Sequence, residues 1–174
     1  TVAELPAVEN VPIGGVPTGP RNMQWQTGAP ATLVWVEALV GGAPEREVPH
    51  RDRYLSLAAP FDAAPTAPVL LGHRAWGLTF LADPGQAIVT EYDRDRRWRR
   101  STLVSLAGES EPRVLDDRSI RDRYAAPGSL IYEFDSAGRR VPMQDGELVY
   151  RSGSGASPDG LLPFLDRQNL TTLA

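Results

Sequence analysis

Few of the side chains that can do chemistry stand in a pattern that chemistry requires. An α/β-hydrolase nucleophile needs a Gly-x-Ser-x-Gly elbow, where a strained strand-to-helix turn exposes the hydroxyl. No such match occurs in the 174 residues. The nearest segments are Gly153-Ser154-Gly155 and Gly155-Ala156-Ser157-Pro158-Asp159. The second has Asp where the elbow needs Gly, and Pro blocks a tight helical start, so both read as polar turns. His50 and His73 are the only imidazoles, and neither has a sequence-adjacent nucleophile or orienting group of the kind a triad assembles. Two isolated histidines and scattered carboxylates match neither zinc spacing nor an EF-hand loop, and no cofactor motif is present. Asp116-Asp117 and Glu109-Ser110-Glu111 read as solvated loop charges. The densest charge cluster is Tyr92-Asp93-Arg94-Asp95-Arg96-Arg97-Trp98-Arg99-Arg100. Its alternating signs suit local pairing with Asp93 and Asp95 and stacking of Arg on Trp98. Its excess of guanidinium is available to a carboxylate, which an Arg fork holds bidentately.

The elements that would carry these residues are short strands. Sixteen Pro and sixteen Gly interrupt the chain every few residues, which breaks helices and favours strands joined by turns. The run Ala31 to Leu39, rich in β-branched and aromatic residues, lies between Gly28-Ala29-Pro30 and Gly41-Gly42-Ala43-Pro44 and predicts a strand. Further strands are predicted over Arg53–Ala58, Pro68–Leu71, Trp76–Leu81, Ala87–Tyr92, Thr102–Leu106, Leu130–Phe134 and Glu147–Arg151. Trp25, Trp35, Trp76 and Trp98 fall at or beside these runs, a placement that fits sheet cores better than carbohydrate stacking.

The chain also repeats. Pro30-Ala31-Thr32-Leu33-Val34-Trp35-Val36-Glu37 lies on Pro84-Gly85-Gln86-Ala87-Ile88-Val89-Thr90-Glu91 without a gap, at a shift of 54 residues. Each copy is followed by a charged loop and a strand ending Ser-Leu-Ala, at Ser56-Leu57-Ala58 and Ser105-Leu106-Ala107. A weaker third copy runs through Gly128–Tyr132 and Asp145–Tyr150. A unit of about 40 to 55 residues with roughly four strands is the pattern of a β-propeller blade, whose sheet faces are covered by neighbouring blades. The expected fold class is all-β, a partial propeller of about three blades over residues 1–174; a β-sandwich or irregular barrel is the alternative.

Composition narrows the partners. A hydrophobic fraction of 41% with 23% charged residues is ordinary for a globular chain, and no apolar run approaches the roughly 20 residues of a membrane span. The net charge of −4 argues against nucleic acid or an anionic membrane surface as partner. The absence of cysteine removes disulfides and thiol chemistry and leaves the redox compartment open. The opening Thr1-Val2-Ala3-Glu4-Leu5-Pro6 has neither an initiator Met nor a signal-peptide core and reads as an internal or trimmed start.

Several phrases resemble, in order, the propeller of the glutamyl endopeptidase branch of the prolyl oligopeptidase family. They are Gly19-Pro20-Arg21-Asn22-Met23-Gln24-Trp25, the Ala31–Leu39 run, Val48-Pro49-His50-Arg51-Asp52-Arg53, Thr90–Trp98, Tyr124-Ala125-Ala126-Pro127-Gly128-Ser129, and Gly153–Gly160 with Pro163-Phe164-Leu165-Asp166. One departure is Val40-Gly41-Gly42, where the family resemblance implies an acidic turn residue before the glycines. The resemblance implies a parent serine peptidase with a C-terminal α/β-hydrolase domain, which would be the partner of this segment, and a peptide substrate. It implies a segment that has no catalytic residue, is inactive alone, and covers the parent's active site. It also implies that one of Arg94, Arg96 or Arg97 faces the parent's central cavity and receives a substrate carboxylate. A free-standing β-rich interaction module is the alternative function.

Overall fold

The computed structural model describes residues 7, 11–44, 47–108 and 110–173. They form an all-β, propeller-like stack of antiparallel sheets, none closed into a barrel. The first sheet is a four-stranded meander of β1 (Arg21–Trp25), β2 (Thr32–Ala38), β3 (Asp52–Ala58) and β4 (Thr66–Leu71). The second repeats it with β5 (Arg74–Phe80), β6 (Gln86–Asp93), β7 (Trp98–Ser105) and β8 (Arg113–Ser119).

The third sheet is interrupted. Its central strand β13 (Leu148–Gly153) pairs on one side with β16 (Phe164–Asn169). On the other side it is shared by β9 (Ser129–Leu130) and β12 (Gln144–Asp145). Two hairpins leave this sheet, β10 (Tyr132–Phe134) with β11 (Arg140–Pro142), and β14 (Ala156–Ser157) with β15 (Gly160–Leu161). The first of these hairpins separates the two halves of the weak third repeat, which is why that copy does not align cleanly. Among the described residues no helix is long and apolar enough to cross a membrane.

The second strand of each complete sheet is buried on both faces, since Val34, Trp35 and Val36 are all buried, as are Ala87, Ile88 and Val89. That is why these segments read as continuous apolar runs rather than alternating ones. Val34, Val36, Tyr54, Val69 and Leu71 of the first sheet meet Phe80, Ala87, Val89, Val104 and Leu106 across the first joint. Leu81, Ile88 and Leu103 meet Val149 and Leu170 across the second, with Leu115 and Leu130 packed beside them. The middle sheet thus contributes alternate side chains of β6 and β7 to two separate cores.

The 54-residue repeat is structural. Glu37 pairs with Arg53 in the first sheet's ladder, and its counterpart Glu91 pairs with Arg100 in the second. The Ser-Leu-Ala match is displaced from that register by two residues, because Val34 lies opposite Ser56 whereas Ile88 lies opposite Leu103. An even displacement keeps every side chain on its face, so the apolar pattern matches although the ladder positions differ.

Two expectations are corrected. Trp35 is buried, but Trp25 and Trp76 are 62% and 54% exposed. Both lie at edges, Trp25 ending β1 and Trp76 at a bulge in β5, where they rest on Phe61 and Tyr92 with ring centroids 6.2 and 4.6 Å apart. Asp116 and Asp117 are not loop charges but residues of β8, paired across the ladder with Ser101 and Arg100. Glu109 lies outside the described residues, as does the Thr1–Pro6 opening.

The Val40-Gly41-Gly42 departure falls in a short 3-10 turn after β2, where Val40 takes φ +55°. A β-branched residue fits that left-handed region poorly, whereas Asn or Asp adopts it at low cost. We expect Val40→Asn to raise stability by roughly 0.5–1 kcal/mol in urea unfolding; an unchanged or lower midpoint would contradict this strain. Gly42 cannot be replaced in the same way. At φ +72°, a Cβ there would lie 2.1 Å from the carbonyl oxygen of Val16.

Candidate functional site

Arg94, Arg96 and Arg97 occupy the tight turn between β6 and β7, and all three are exposed. Asp93 shapes the turn, its Oδ1 accepting the backbone N–H groups of Asp95 (3.0 Å) and Arg96 (3.2 Å). This is the Asx-turn geometry that lets a short acidic side chain replace a backbone partner. Arg97 closes the turn at φ +53°.

The Arg96 guanidinium lies 4.8 Å from the centroid of the Trp98 ring, and its Nε is 3.9 Å from Asp93 Oδ2. That is the local pairing expected from the sequence, with Asp93 taking the role and Asp95 making no ion pair among the described residues. Arg94 and Arg96 line an open groove of about 660 Å³ that also holds His73, Arg51 and Arg74. Arg97 is not in its lining. Arg94 has no ion pair or ring contact among the described residues, which leaves its guanidinium fork available in the groove.

The other basic side chains at this end of the sheets already have partners. Arg51 donates to the carbonyl of Pro44 at 2.8 Å. Arg74 donates to Asp52 Oδ1 at 2.7 Å and to the carbonyls of Arg51 and Ala43 at 2.8 and 3.2 Å. His73 Nδ1 lies 3.9 Å from Asp93 Oδ2, and its backbone N–H donates to Glu91 at 3.1 Å. His50 lines a second, smaller groove of about 340 Å³ with Glu91 and Arg100. Among the described residues, no serine or threonine hydroxyl is bonded to either histidine, and no cluster of His, Cys, Asp and Glu could hold a metal ion. Ser157 ends β14 at its hairpin turn, donating to the carbonyl of Gly160 at 3.0 Å and accepting the Asp159 N–H at 3.2 Å.

Sequence reasoning missed the long-range charge network behind the turn. Arg99 reaches Asp116 at 2.8 Å, Arg118 approaches the same carboxylate at 3.2 Å, and Arg100 reaches Asp117 at 2.8 Å. Each pairing crosses from β7 to β8 or runs along β8. The only signal in the sequence is the match between Arg99-Arg100 and Asp116-Asp117, and it requires the strand register to be read. The Arg100 hydrogen bond holds the Asp117 carboxyl below the ordinary aspartate range, and the Trp98 indole N–H adds to this. In the β10–β11 turn, the Arg139 backbone N–H and then its guanidinium lower Asp135 in the same way.

Carboxyls depressed in the folded state stabilise it above the unfolded pKa near 4 and lose that contribution as pH falls through the lower folded value. We therefore expect urea stability to be flat above about pH 5 and to fall below about pH 4. Asp117→Asn should flatten part of the fall, and an acid limb identical to that of the unsubstituted chain would contradict the assignment.

The fold and the groove define a propeller-like β segment with an accessible cationic turn between β6 and β7. Its relatives narrow the class. The chain is 33% identical to a probable glutamyl endopeptidase, chloroplastic, of Arabidopsis thaliana, and 31% identical to one of the same name from Oryza sativa subsp. japonica. Each match covers 98% of this chain and 19% of the relative, so the chain spans about a fifth of the length of these larger peptidases. No protein-family model matches it, and no solved structure matches it significantly.

Proposed function

We propose that this chain is a non-catalytic β-propeller segment of a serine peptidase of the prolyl oligopeptidase family, glutamyl endopeptidase-like, which covers the active site of a C-terminal α/β-hydrolase domain and restricts entry to peptides. The observation that carries the reading is the pairing of two facts. Similarity to glutamyl endopeptidases extends along 98% of the chain, and the described residues build stacked sheets without a nucleophile held by a histidine. Stacked blades around a narrow channel admit extended peptides and exclude folded proteins, and a mobile interface with the hydrolase domain would gate entry.

The test is to read the open reading frame on both sides of this segment and assay the encoded protein on Glu-containing peptides. A hydrolase domain with Gly-x-Ser-x-Gly, inactive when its Ser is replaced by Ala, supports the reading. A frame without one ends it and leaves a free-standing interaction module.

Within this reading Arg94 and Arg96 receive the substrate carboxylate from the groove, with Arg94 the less committed of the two and Arg97 beside it on the turn. A charge-assisted hydrogen bond to a carboxylate has no counterpart with an amide, so Arg94→Ala in the whole protein should reduce the kcat/KM preference for Glu over Gln peptides by roughly 10-fold. Arg96→Ala should have a smaller effect, because Trp98 and Asp93 already hold that guanidinium. An unchanged preference in Arg94→Ala, Arg96→Ala and Arg97→Ala alike would remove the turn from substrate recognition.

A further inference from the structure

Glu37 and Glu91 occupy the same place in the two copies of the repeat, 54 residues apart, yet only Glu37 has both carboxylate oxygens hydrogen-bonded. Its side chain is 24% exposed. Its Oε1 accepts the Trp35 indole N–H at 3.0 Å, and its Oε2 accepts from Arg53 at 3.0 Å. The Glu91 side chain is 7% exposed. Its Oε2 accepts the His73 backbone N–H at 3.1 Å. Its Oε1 accepts no hydrogen bond among the described residues, and the Arg100 guanidinium stands off from it at 3.8 Å. A buried carboxylate ordinarily has its acceptor sites filled.

The sequence explains the difference. Val89 stands where the first copy has Trp35, so the indole that donates to Glu37 has no equivalent. The cross-strand arginine is also drawn away, because Arg100 NH2 donates to Asp117 at 2.8 Å. One guanidinium is thus shared between two carboxylates, and Glu91 is left short of positive charge.

The missing indole leaves space as well as an unfilled oxygen. Glu91 lines the groove of about 340 Å³ between β4 of the first sheet and β6, β7 and β8 of the second. Val69, Leu71, Val89 and Val104 form its buried apolar walls, and Leu70 and Val114 border it half exposed. His50 lines it too, but forms no ion pair with Glu91 among the described residues.

A group matched to this groove has an apolar stem and one compact cationic donor at its tip. A lysine side chain has both, a four-carbon stem that lies along apolar surface and an ammonium that can meet a single oxygen. Arginine suits the groove less, since its planar fork is matched by two parallel acceptors and Glu91 offers one. We propose that the groove between the first two sheets is a binding site for a lysine side chain presented by a peptide, with Glu91 Oε1 accepting from its ammonium. The site lies within this chain and does not rest on the peptidase reading.

The test is calorimetric titration of the whole protein with N-acetyl-lysine methylamide and with its norleucine counterpart, which keeps the stem and lacks the ammonium. The lysine compound should bind saturably, and the norleucine compound at least about 10-fold more weakly, since a charge-assisted hydrogen bond is lost. Glu91→Gln, which keeps an acceptor for the His73 N–H, should weaken lysine binding by a similar factor. Val114→Trp, at an exposed position of the lining, should obstruct the groove without altering the core and weaken binding as well. Absence of saturable lysine binding overturns the proposal. Equal binding of the two compounds also overturns it, as does lysine binding unchanged in either variant, because the ammonium would then be held elsewhere. Equal binding of the corresponding arginine compound would overturn the choice of lysine.

Discussion

Replacing Asp52 by Asn is expected to lower stability by about 3–5 kcal/mol, the cost of breaking a buried ion network by removing one partner. Asp52 begins β3 and is fully buried. Its Oδ1 accepts from Arg74 at 2.7 Å, and its Oδ2 accepts the Ala75 N–H at 2.8 Å. Arg21 NH2 lies 2.8 Å from Oδ2 as an ion pair whose alignment falls short of a hydrogen bond, and Arg21 Nε is buried without a partner. One carboxylate therefore holds β1 of its own sheet and the first two residues of β5 in the next.

Asn keeps the size and one acceptor but leaves two guanidinium groups without their counter-charge. Tyr54, two residues along the same strand, carries the same signature, since burial and then the Asp52 charge push its phenol well above the ordinary range. The measurement is urea unfolding of Asp52→Asn, Arg74→Met and the double variant. The double variant should cost much less than the sum of the singles, because removing Arg74 relieves part of what Asp52→Asn leaves uncompensated. Additive single costs would show that the carboxylate does not tie the sheets together.

This network also shows where the sequence was readable. The strands β2, β3, β5, β6 and β7 were legible because their β-branched and aromatic residues face apolar neighbours on one or both sides. β1, β8 and β16 were not. Arg113-Val114-Leu115-Asp116-Asp117-Arg118-Ser119 has the composition of a loop, and it is a strand because Arg99 and Arg100 supply counter-charges 17 residues away. Phe164-Leu165-Asp166-Arg167-Gln168-Asn169 is similarly polar and lies on an open edge.

The candidate turn was legible in its local part, Asp93 with Arg96 on Trp98, since those contacts span five residues. What the sequence could not disclose is that Arg51 and Arg74 point toward the same groove but are already committed, which separates Arg94 from its neighbours. The repeat was legible in face and not in register, because a two-residue slip preserves the apolar pattern.

The second large effect lies at the other joint, and its expected character differs. Leu170 follows β16, is 1% exposed, and packs with Leu81, Ile88, Leu103 and Val149. Leu170→Ala should cost about 2–5 kcal/mol, depending on how far the site collapses around the cavity. The polar ties across this joint are hydrogen bonds rather than an ion network: Gln168 reaches the Leu115 carbonyl at 3.5 Å, Arg113 reaches that of Thr171 at 3.0 Å, the Ala82 N–H donates to Gln144 at 3.1 Å, and the Thr79 and Tyr132 hydroxyls lie 3.4 Å apart. Arg151 is buried against this side without an ion pair among the described residues, and desolvation lowers its pKa despite the nearby Asp116 charge. The first joint has its own core and the Asp52 network. In stacked units, stability is approximately the sum of each unit's own stability and its nearest-neighbour interfaces. Loss of the second interface should therefore release the third sheet before the first two. Amide exchange should accelerate across Leu148–Asn169 in Leu170→Ala while Val34, Val36 and Tyr54 keep their protection. Uniform acceleration through all three sheets would mean that the two cores unfold as one cooperative unit, and the joints would not be separable.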